Sequence, residues 1–158
     1  MKRPSLALLL FALVACQPNK PRPLVSRAEF GVFFGGQVQE RAEIPFQLDR
    51  SKLSFGFRIE FSEPLVREVK LAWELERPAP GKTSAVQRQA PARIVQLGES
   101  KARVGLPSFD QPLAFQPGDA LGTWKIKVSA DDQVVIDRSF VVYDAALRAR
   151  AREAEGGL

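Results

Sequence analysis

A strict alternation of apolar and polar side chains constrains the fold more than any other feature of this sequence. Over residues 53–61 (LSFGFRIEF), every odd-numbered residue is large and apolar, and every even-numbered residue is polar or glycine. Residues 69–76 (VKLAWELE) have the same apolar odd-numbered positions. A period of two places alternate side chains on opposite faces of a β-strand. The two segments therefore predict antiparallel strands with one face in a core and the other in water.

Shorter patterns of the same kind predict further strands along the chain. They cover residues 30–34, 44–48, 93–97, 101–106, 124–128 and 134–143. Turns are expected at residues 98–100 and 130–133, and proline-rich loops at residues 77–91 and 107–122. About seven or eight strands at these intervals are typical of an all-β protein, an antiparallel β-sandwich. Its expected core includes the large side chains of Phe55, Phe57, Trp73, Trp124 and Phe140.

The residue composition excludes several kinds of catalytic and metal site. The 158 residues suffice for one domain with a core, and they include no His and a single Cys. A zinc site of imidazoles and thiolates, a Ser-His-Asp triad and a Cys-His pair are therefore excluded. Paired carboxylates remain a possible route to hydrolysis. Most acidic residues, however, lie at alternating strand positions or in turns, which is typical of a solvated face.

The first 16 residues have the features of an export signal. Residues 1–3 (MKR) are basic, residues 6–13 (LALLLFAL) form an apolar run, and small residues precede Cys16. A basic start, a short apolar core and small residues before a cleavage site are typical of a secretory signal. The apolar run is too short for a transmembrane helix, which needs about 20 residues.

The end of this segment, residues 13–16 (LVAC), resembles the lipobox of bacterial lipoproteins. The resemblance implies cleavage between Ala15 and Cys16, a diacylglycerol on the Cys16 sulfur and acylation of the new amino terminus. More than one acyl chain anchors a protein stably, because each buried methylene contributes about 0.8 kcal/mol. In Gram-negative lipoproteins, Asp at the next position commonly means retention in the inner membrane. If the host is Gram-negative, Gln17 therefore implies the outer membrane, on its periplasmic or surface face.

The sequence divides into four consecutive regions. They are a signal peptide (1–15), a lipidated cysteine with a proline-rich tether (16–27), a β-sandwich (28–143) and an Ala- and Arg-rich tail that is helical or disordered (144–158). Pro18, Pro21 and Pro23 favour an extended tether that holds the domain away from the lipid surface. Loss of Lys2 and Arg3 with the signal lowers the formal net charge from +5 to +3. This weak excess of positive charge does not indicate a nucleic-acid partner.

Residues 30–36 (FGVFFGG) carry aromatic side chains on both faces of the predicted first strand. One interpretation is a strand that is covered on both sides. The other is an edge strand that pairs with another chain. Phe30, Phe33 and Phe34 are therefore candidate partner-binding residues, and the expected partners are other envelope proteins.

The tail contains the second candidate contact site, formed by Arg148, Arg150 and Arg152. These residues suit a protein surface or anionic headgroups. The alternative is a solvated helix, because Glu153 and Glu155 dilute the charge and alternate residues do not share one helical face. An isolated helix of about ten residues is marginal in water, so we expect a tail that is frayed or docked on a partner.

Two further patterns have a structural explanation beside a functional one. Trp73 and Trp124 suit a ligand-stacking role, as in sugar-binding sandwiches, but both lie at inward strand positions. Asp131 and Asp132 suit calcium, but hairpin turns favour Asp in any case. We prefer the structural explanation for both patterns. We expect no metal, no cofactor and no small-molecule ligand.

Four short motifs resemble an exported bacterial family that is described only as a domain of unknown function. They are residues 30–33 (FGVF), 54–59 (SFGFRI), 122–126 (GTWKI) and 138–142 (RSFVV). The resemblance covers residues 30–142 and implies an immunoglobulin-like β-sandwich that ends in a Gly-x-Trp hairpin. No catalytic residues come with the family.

The expected function is therefore interaction and not catalysis. The chain is predicted to be a lipid-anchored accessory subunit of an envelope assembly for motility, secretion or surface adhesion. One alternative is a carbohydrate- or peptidoglycan-binding module, which predicts aromatic rings exposed on one sheet face. The other is a carboxylate-based hydrolase, which needs two acidic side chains about 5–10 Å apart across a cleft.

Overall fold

Two β-sheets pack face to face in the computed structural model, which describes residues 23, 25–49, 51, 53–80 and 92–155. In chain order, the elements are β1 (Val25–Phe34), β2 (Gln37–Glu40), β3 (Glu43–Pro45), β4 (Ser54–Phe61), β5 (Val69–Pro78), β6 (Arg93–Ala102), β7 (Ser108–Leu113), β8 (Gly122–Ala130), β9 (Gln133–Tyr143) and α1 (Ala145–Glu155). One sheet has the order β2-β1-β4-β7, and the other has the order β3-β9-β8-β5-β6. All strand pairs are antiparallel except β3 and β9. The predicted all-β sandwich is confirmed.

The core lies between the sheets and is rich in aromatic rings. Phe55 of β4 stacks on Phe115 with 4.6 Å between ring centroids, and Trp124 of β8 meets Phe115 edge-on at 5.6 Å. Phe140 of β9 lies 5.9 Å from Trp124. These four side chains are almost completely buried. Burial of one large apolar side chain contributes about 1.5–3 kcal/mol, so this cluster is a main source of the attraction between the sheets.

The alternation predicted from the sequence is confirmed for most strand positions. The buried odd-numbered residues of β4 and β5 are Phe55, Phe57, Ile59, Phe61, Val69, Leu71 and Leu75. Trp73 is the exception, because it is only half-buried although its strand neighbours on the same face are in the core. The prediction that Trp73 is a core residue is therefore wrong in part.

The described residues form nine strands, and three of the differences from the prediction lie near the amino end. Strand β1 begins at Val25, so residues 25–27 of the predicted tether belong to the sheet. Strand β2, with the sequence QVQE, was not predicted because a segment with one apolar residue has no detectable period. Strand β3 spans three residues and ends at Pro45, earlier than the predicted strand over residues 44–48.

A fourth difference is that β6 runs without interruption through the predicted turn at residues 98–100. Gly98 lies opposite Trp73 in the register of β5 and β6. A Cβ atom on Gly98 would lie 2.1 Å from the Trp73 indole. Glycine is needed there because a ring packs against the backbone, and no turn is involved.

A fifth difference is strand β7, which lies in a segment predicted to be a loop because of its prolines. Strand β7 pairs only with β4 and forms an edge of its sheet. An edge strand tolerates Pro112 because the missing N–H costs no ladder hydrogen bond on the open side.

The hairpin between β8 and β9 agrees with the sequence prediction. Asp131 and Asp132 have φ angles of 45° and 68°, as a two-residue hairpin turn requires. The Asp131 carboxylate accepts a hydrogen bond from the Lys70 backbone N–H at 2.9 Å and lies 2.5 Å from Arg67. The two aspartates thus have the structural role that the turn interpretation predicts.

Replacement of Trp124 by Ala should cost about 3–5 kcal/mol of unfolding free energy, because it opens a cavity between the sheets. It also removes the hydrogen bond that the indole N–H donates to the Ala120 carbonyl at 2.9 Å. Phe34→Ala is the matched control, because that ring is 69% exposed and its loss should change stability by about 0.5 kcal/mol or less. Urea denaturation measures both values. Equal losses in the two variants would contradict this account of the core.

Candidate functional site

The edge strands of the two sheets differ in how well they are protected. Strand β2 has four residues, β3 has three and includes Pro45, and β7 has six and includes Pro112. Short edges and prolines discourage pairing with another chain. Strand β6 has ten residues and no proline, and it pairs only with β5. Among the described strands, β6 therefore has the longest open row of backbone donors and acceptors.

The outward side chains of β6 place two apolar residues between opposite charges. Val95 is 56% exposed and Leu97 is 71% exposed. On one side of this pair, Arg93 contacts Glu76 at 3.1 Å, and on the other side Glu99 contacts Lys70 at 2.8 Å. Both ion pairs are solvent-exposed, and such pairs contribute little to stability.

A groove of about 480 Å³ runs beside β6, where the two sheets are open to solvent. It is lined by Trp73, by Gln96 on β6 and by Gln111 and Leu113 on β7. The Trp73 ring also contacts Phe57 of the core at 5.7 Å between centroids. We call β6, β7 and this groove the open flank. An indole beside amide side chains offers a stacking surface together with hydrogen-bonding groups.

The three candidate phenylalanines lie in different environments. Phe30 is 2% exposed and lies 4.8 Å from Phe140 in the core, so it is inaccessible to a partner and its proposed contact role is wrong. Phe33 is half-buried, and its ring lies near Gly56. Phe34 is 69% exposed beside the turn to β2. Partner binding at Phe33 and Phe34 stays a prediction.

The tail forms helix α1, which is attached to the chain's own sandwich. Asp144 caps the helix, because its carboxylate accepts hydrogen bonds from the backbone N–H groups of Ala146 and Leu147 at 2.8 and 3.1 Å. Arg148 donates to both carboxylate oxygens of Glu43 at 2.6 and 2.9 Å. Its guanidinium also lies 4.2 Å from the centre of the Tyr143 ring. The helix therefore contacts the chain's own sandwich through Arg148, and docking on a partner stays a prediction.

These contacts divide the three candidate arginines. Arg148 is occupied by Glu43 and Tyr143, whereas Arg150 and Arg152 are exposed. The hydrogen bonds from Arg148 hold the pKa of Glu43 below its ordinary value. Contact of Arg150 and Arg152 with a protein or a headgroup stays a prediction.

The carboxylates on the outer face of the second sheet are interleaved with lysines. Glu74, Glu76 and Asp137 line a depression of about 190 Å³ together with Lys125 and Lys127. Lys125 lies 2.9 Å from Asp137, and this hydrogen bond raises the pKa of Lys125. The arrangement is that of a charged, solvated face.

Two observations concern metals and membranes. Within the described ranges, no group of three or more His, Cys, Asp or Glu side chains is placed to hold a metal ion. In the same part of the chain, no helix has the length and hydropathy needed to cross a bilayer. Ala15 and Cys16, the predicted cleavage and lipidation site, lie outside the described residues.

Comparison with known proteins supports the fold. No model of a known protein family matches the chain, and no curated protein is similar enough to match it. A solved immunoglobulin-like protein from Pseudomonas aeruginosa has a TM-score of 0.50 and 22% sequence identity, over 79% of this chain and 99% of that chain. The predicted immunoglobulin-like sandwich is thereby confirmed. Membership of the exported family that the four motifs resemble stays a prediction.

Replacement of Arg148 by Ala should return the pKa of Glu43 toward its ordinary value, because the hydrogen bond from Arg148 is the main cause of the lowered pKa. A carboxyl group whose pKa is lower in the folded state stabilises the fold at pH values above its unfolded-state pKa. This stabilisation is lost as the pH falls through the folded-state pKa. A carboxyl NMR titration measures the change. Arg150→Ala is the control and should leave the pKa of Glu43 unchanged. An unchanged pKa in Arg148→Ala would refute the role given to this contact.

Proposed function

We propose that this chain is a non-catalytic, lipid-anchored envelope protein whose immunoglobulin-like domain interacts with other envelope proteins through its open flank. The observation that carries the interaction is the long, proline-free edge of β6 with its exposed apolar pair, Val95 and Leu97. Strand edges of this kind bind other strands through main-chain hydrogen bonds. The expected setting is an assembly for motility, secretion or surface adhesion.

The anchor in this proposal is Cys16, and the place where the chain enters the sandwich supports it. Val25 lies opposite Phe61 in the sheet register, and the loops that follow β4 and β6 lie at the same end of the sandwich. These loops expose Val66 (91%), Val104 (59%) and Leu106 (38%). Eight residues such as 17–24 could reach on the order of 25 Å if they were extended, so this end of the domain would face the nearby bilayer.

The acidic residues support binding over hydrolysis. Glu74, Glu76 and Asp137 lie at alternate outward strand positions beside Lys125 and Lys127. A carboxyl group that acts as a general acid needs surroundings that raise its pKa. The structure instead places lysines among these carboxylates on a solvated face, with Lys125 2.9 Å from Asp137.

Replacement of Cys16 by Ser should abolish lipid attachment and signal cleavage, because the diacylglycerol is attached to the Cys16 sulfur and the cleavage site belongs to the same lipobox. The parent should incorporate labelled palmitate and fractionate with the outer membrane. The Cys16→Ser variant should lose the label and migrate as the larger, unprocessed chain. Asn19→Ser, which leaves the lipobox intact, should behave as the parent does. Identical processing and fractionation of the parent and Cys16→Ser would refute the anchor.

A second candidate function is glycan binding in the groove of the open flank. The observation that favours it is the half-buried Trp73 beside Gln96, Gln111 and Gln116. Aromatic rings stack on sugar faces, and amides supply donors and acceptors for hydroxyl groups. The other tryptophan, Trp124, is fully buried and is unavailable for such stacking.

This second candidate predicts that the purified protein cosediments with peptidoglycan. Gln111→Ala should weaken the binding by about tenfold, because one lost hydrogen bond costs about 1.4 kcal/mol. Phe34→Ala is the control, because Phe34 lies outside the groove and its replacement should leave binding unchanged. Absence of cosedimentation by the parent protein would rule out peptidoglycan as the ligand.

A further inference from the structure

We infer that β6 pairs with β6 of a second copy of this chain, in an antiparallel register centred on Gln96. The inference rests on the proposed function in taking the open flank as the interacting surface. It assigns the β6 edge to a second copy of this chain and leaves β7 for other envelope proteins. It does not depend on the lipid anchor. An exposed strand edge can extend a sheet across a two-fold axis, because the same edge is presented by both copies.

The outward residues of β6 are complementary to themselves about Gln96. In this register, Arg93 lies opposite Glu99 of the second copy, and Val95 lies opposite Leu97. The two-fold axis repeats both contacts. Opposite charges and apolar pairs that face each other directly across an antiparallel ladder stabilise the pairing. The two exposed apolar side chains of each copy would thereby cover those of the other.

Other registers are less favourable. A shift that pairs odd-numbered with even-numbered residues would place the inward face of one strand beside the outward face of the other. Centring on Leu97 keeps the faces aligned, but it brings Arg93 opposite Lys101, and like charges in direct opposition destabilise a strand pair. Centring on Gln96 avoids both faults and places Ile94 opposite Gly98 on the inner face.

The charges at the two ends of this segment are available for new contacts. Arg93 now lies against Glu76, with side chains 42% and 34% exposed. Glu99 lies against Lys70, with side chains 65% and 55% exposed. All four side chains are therefore exposed enough to contact another charged group. A second strand would bring such a group to Arg93 at one end of the segment and to Glu99 at the other.

The first experiment tests the register by cross-linking the full chain with Cys16→Ser, which removes the chain's one native thiol. In this background, Gln96→Cys places two thiols directly opposite each other, with Cβ atoms about 4.5–5.5 Å apart, close to disulfide geometry. Ser100→Cys is the matched control on the same face of β6. Its two copies would lie on the order of 25 Å apart in the inferred register.

Mild oxidation should convert Gln96→Cys to a covalent dimer at least tenfold faster than Ser100→Cys. Equal rates for the two variants would overturn the inferred register, and no dimer from either variant would overturn the pairing. Neither result bears on lipidation at Cys16, which the processing experiment decides separately.

The second experiment reverses single charges and measures the dissociation constant by sedimentation. Arg93→Glu and Glu99→Arg should each weaken self-association by about tenfold or more, because each reversal sets like charges opposite each other at two symmetry-related places. A mixture of the two variants should associate as tightly as the parent, since every cross-strand pair again joins Glu with Arg.

The mixture separates pairing from a structural effect of the substitutions. Each variant loses its own contact with Glu76 or Lys70, and mixing cannot restore a contact within one chain. Recovery in the mixture therefore requires strands from different copies. A parent protein that sediments as a monomer at all concentrations, or a mixture that associates no better than its components, would overturn the inference.

Discussion

The packing of Trp124 between the two sheets is the constraint on which the rest of the structure depends. Its indole N–H donates to the Ala120 carbonyl, and its ring meets both Phe115 and Phe140. Arg77 lies 6.0 Å from the same ring and forms a largely buried ion pair with Asp119. The segment between β7 and β8 is thus held to the core by the Phe115 ring, by the hydrogen bond to Ala120 and by the ion pair of Asp119. Removal of one partner of such a buried pair is destabilising.

The two flanks of the sandwich are closed to different degrees. On one flank, Arg138 of β9 reaches Glu40 of β2 at 2.9 Å and joins the two sheets. On the other flank, Gln96 and Gln111 line an open groove with Trp73. A contact surface is more readily built on the open side, because the groups there still interact with water instead of with the opposite sheet. The proposed interaction uses this asymmetry.

Local pattern predicted the strands well where the side chains alternate without interruption, as in β4, β5, β8 and β9. The prediction failed where the structural role of one residue depends on a neighbour that is distant in sequence. Gly98 resembled a turn, yet it accommodates the Trp73 ring, and Pro112 resembled a loop, yet it lies on an edge strand. Because of those two errors, the sequence prediction did not show that β6 and β7 are strands of one open flank. A ten-residue segment with regularly spaced outward Arg, Val, Leu and Glu was the available signal for β6.

The sequence by itself determined the β-sandwich class, the turn at Asp131 and Asp132, and the exclusion of sites that need an imidazole. These properties follow from composition and from the two-residue period of a strand, both of which are local. Only the tertiary structure decided that Phe30 is buried, that β6 is an edge and that Arg148 is occupied by Glu43, 105 residues away. Such properties depend on which distant segments pair, and the side-chain period of a single strand carries no information about its neighbours.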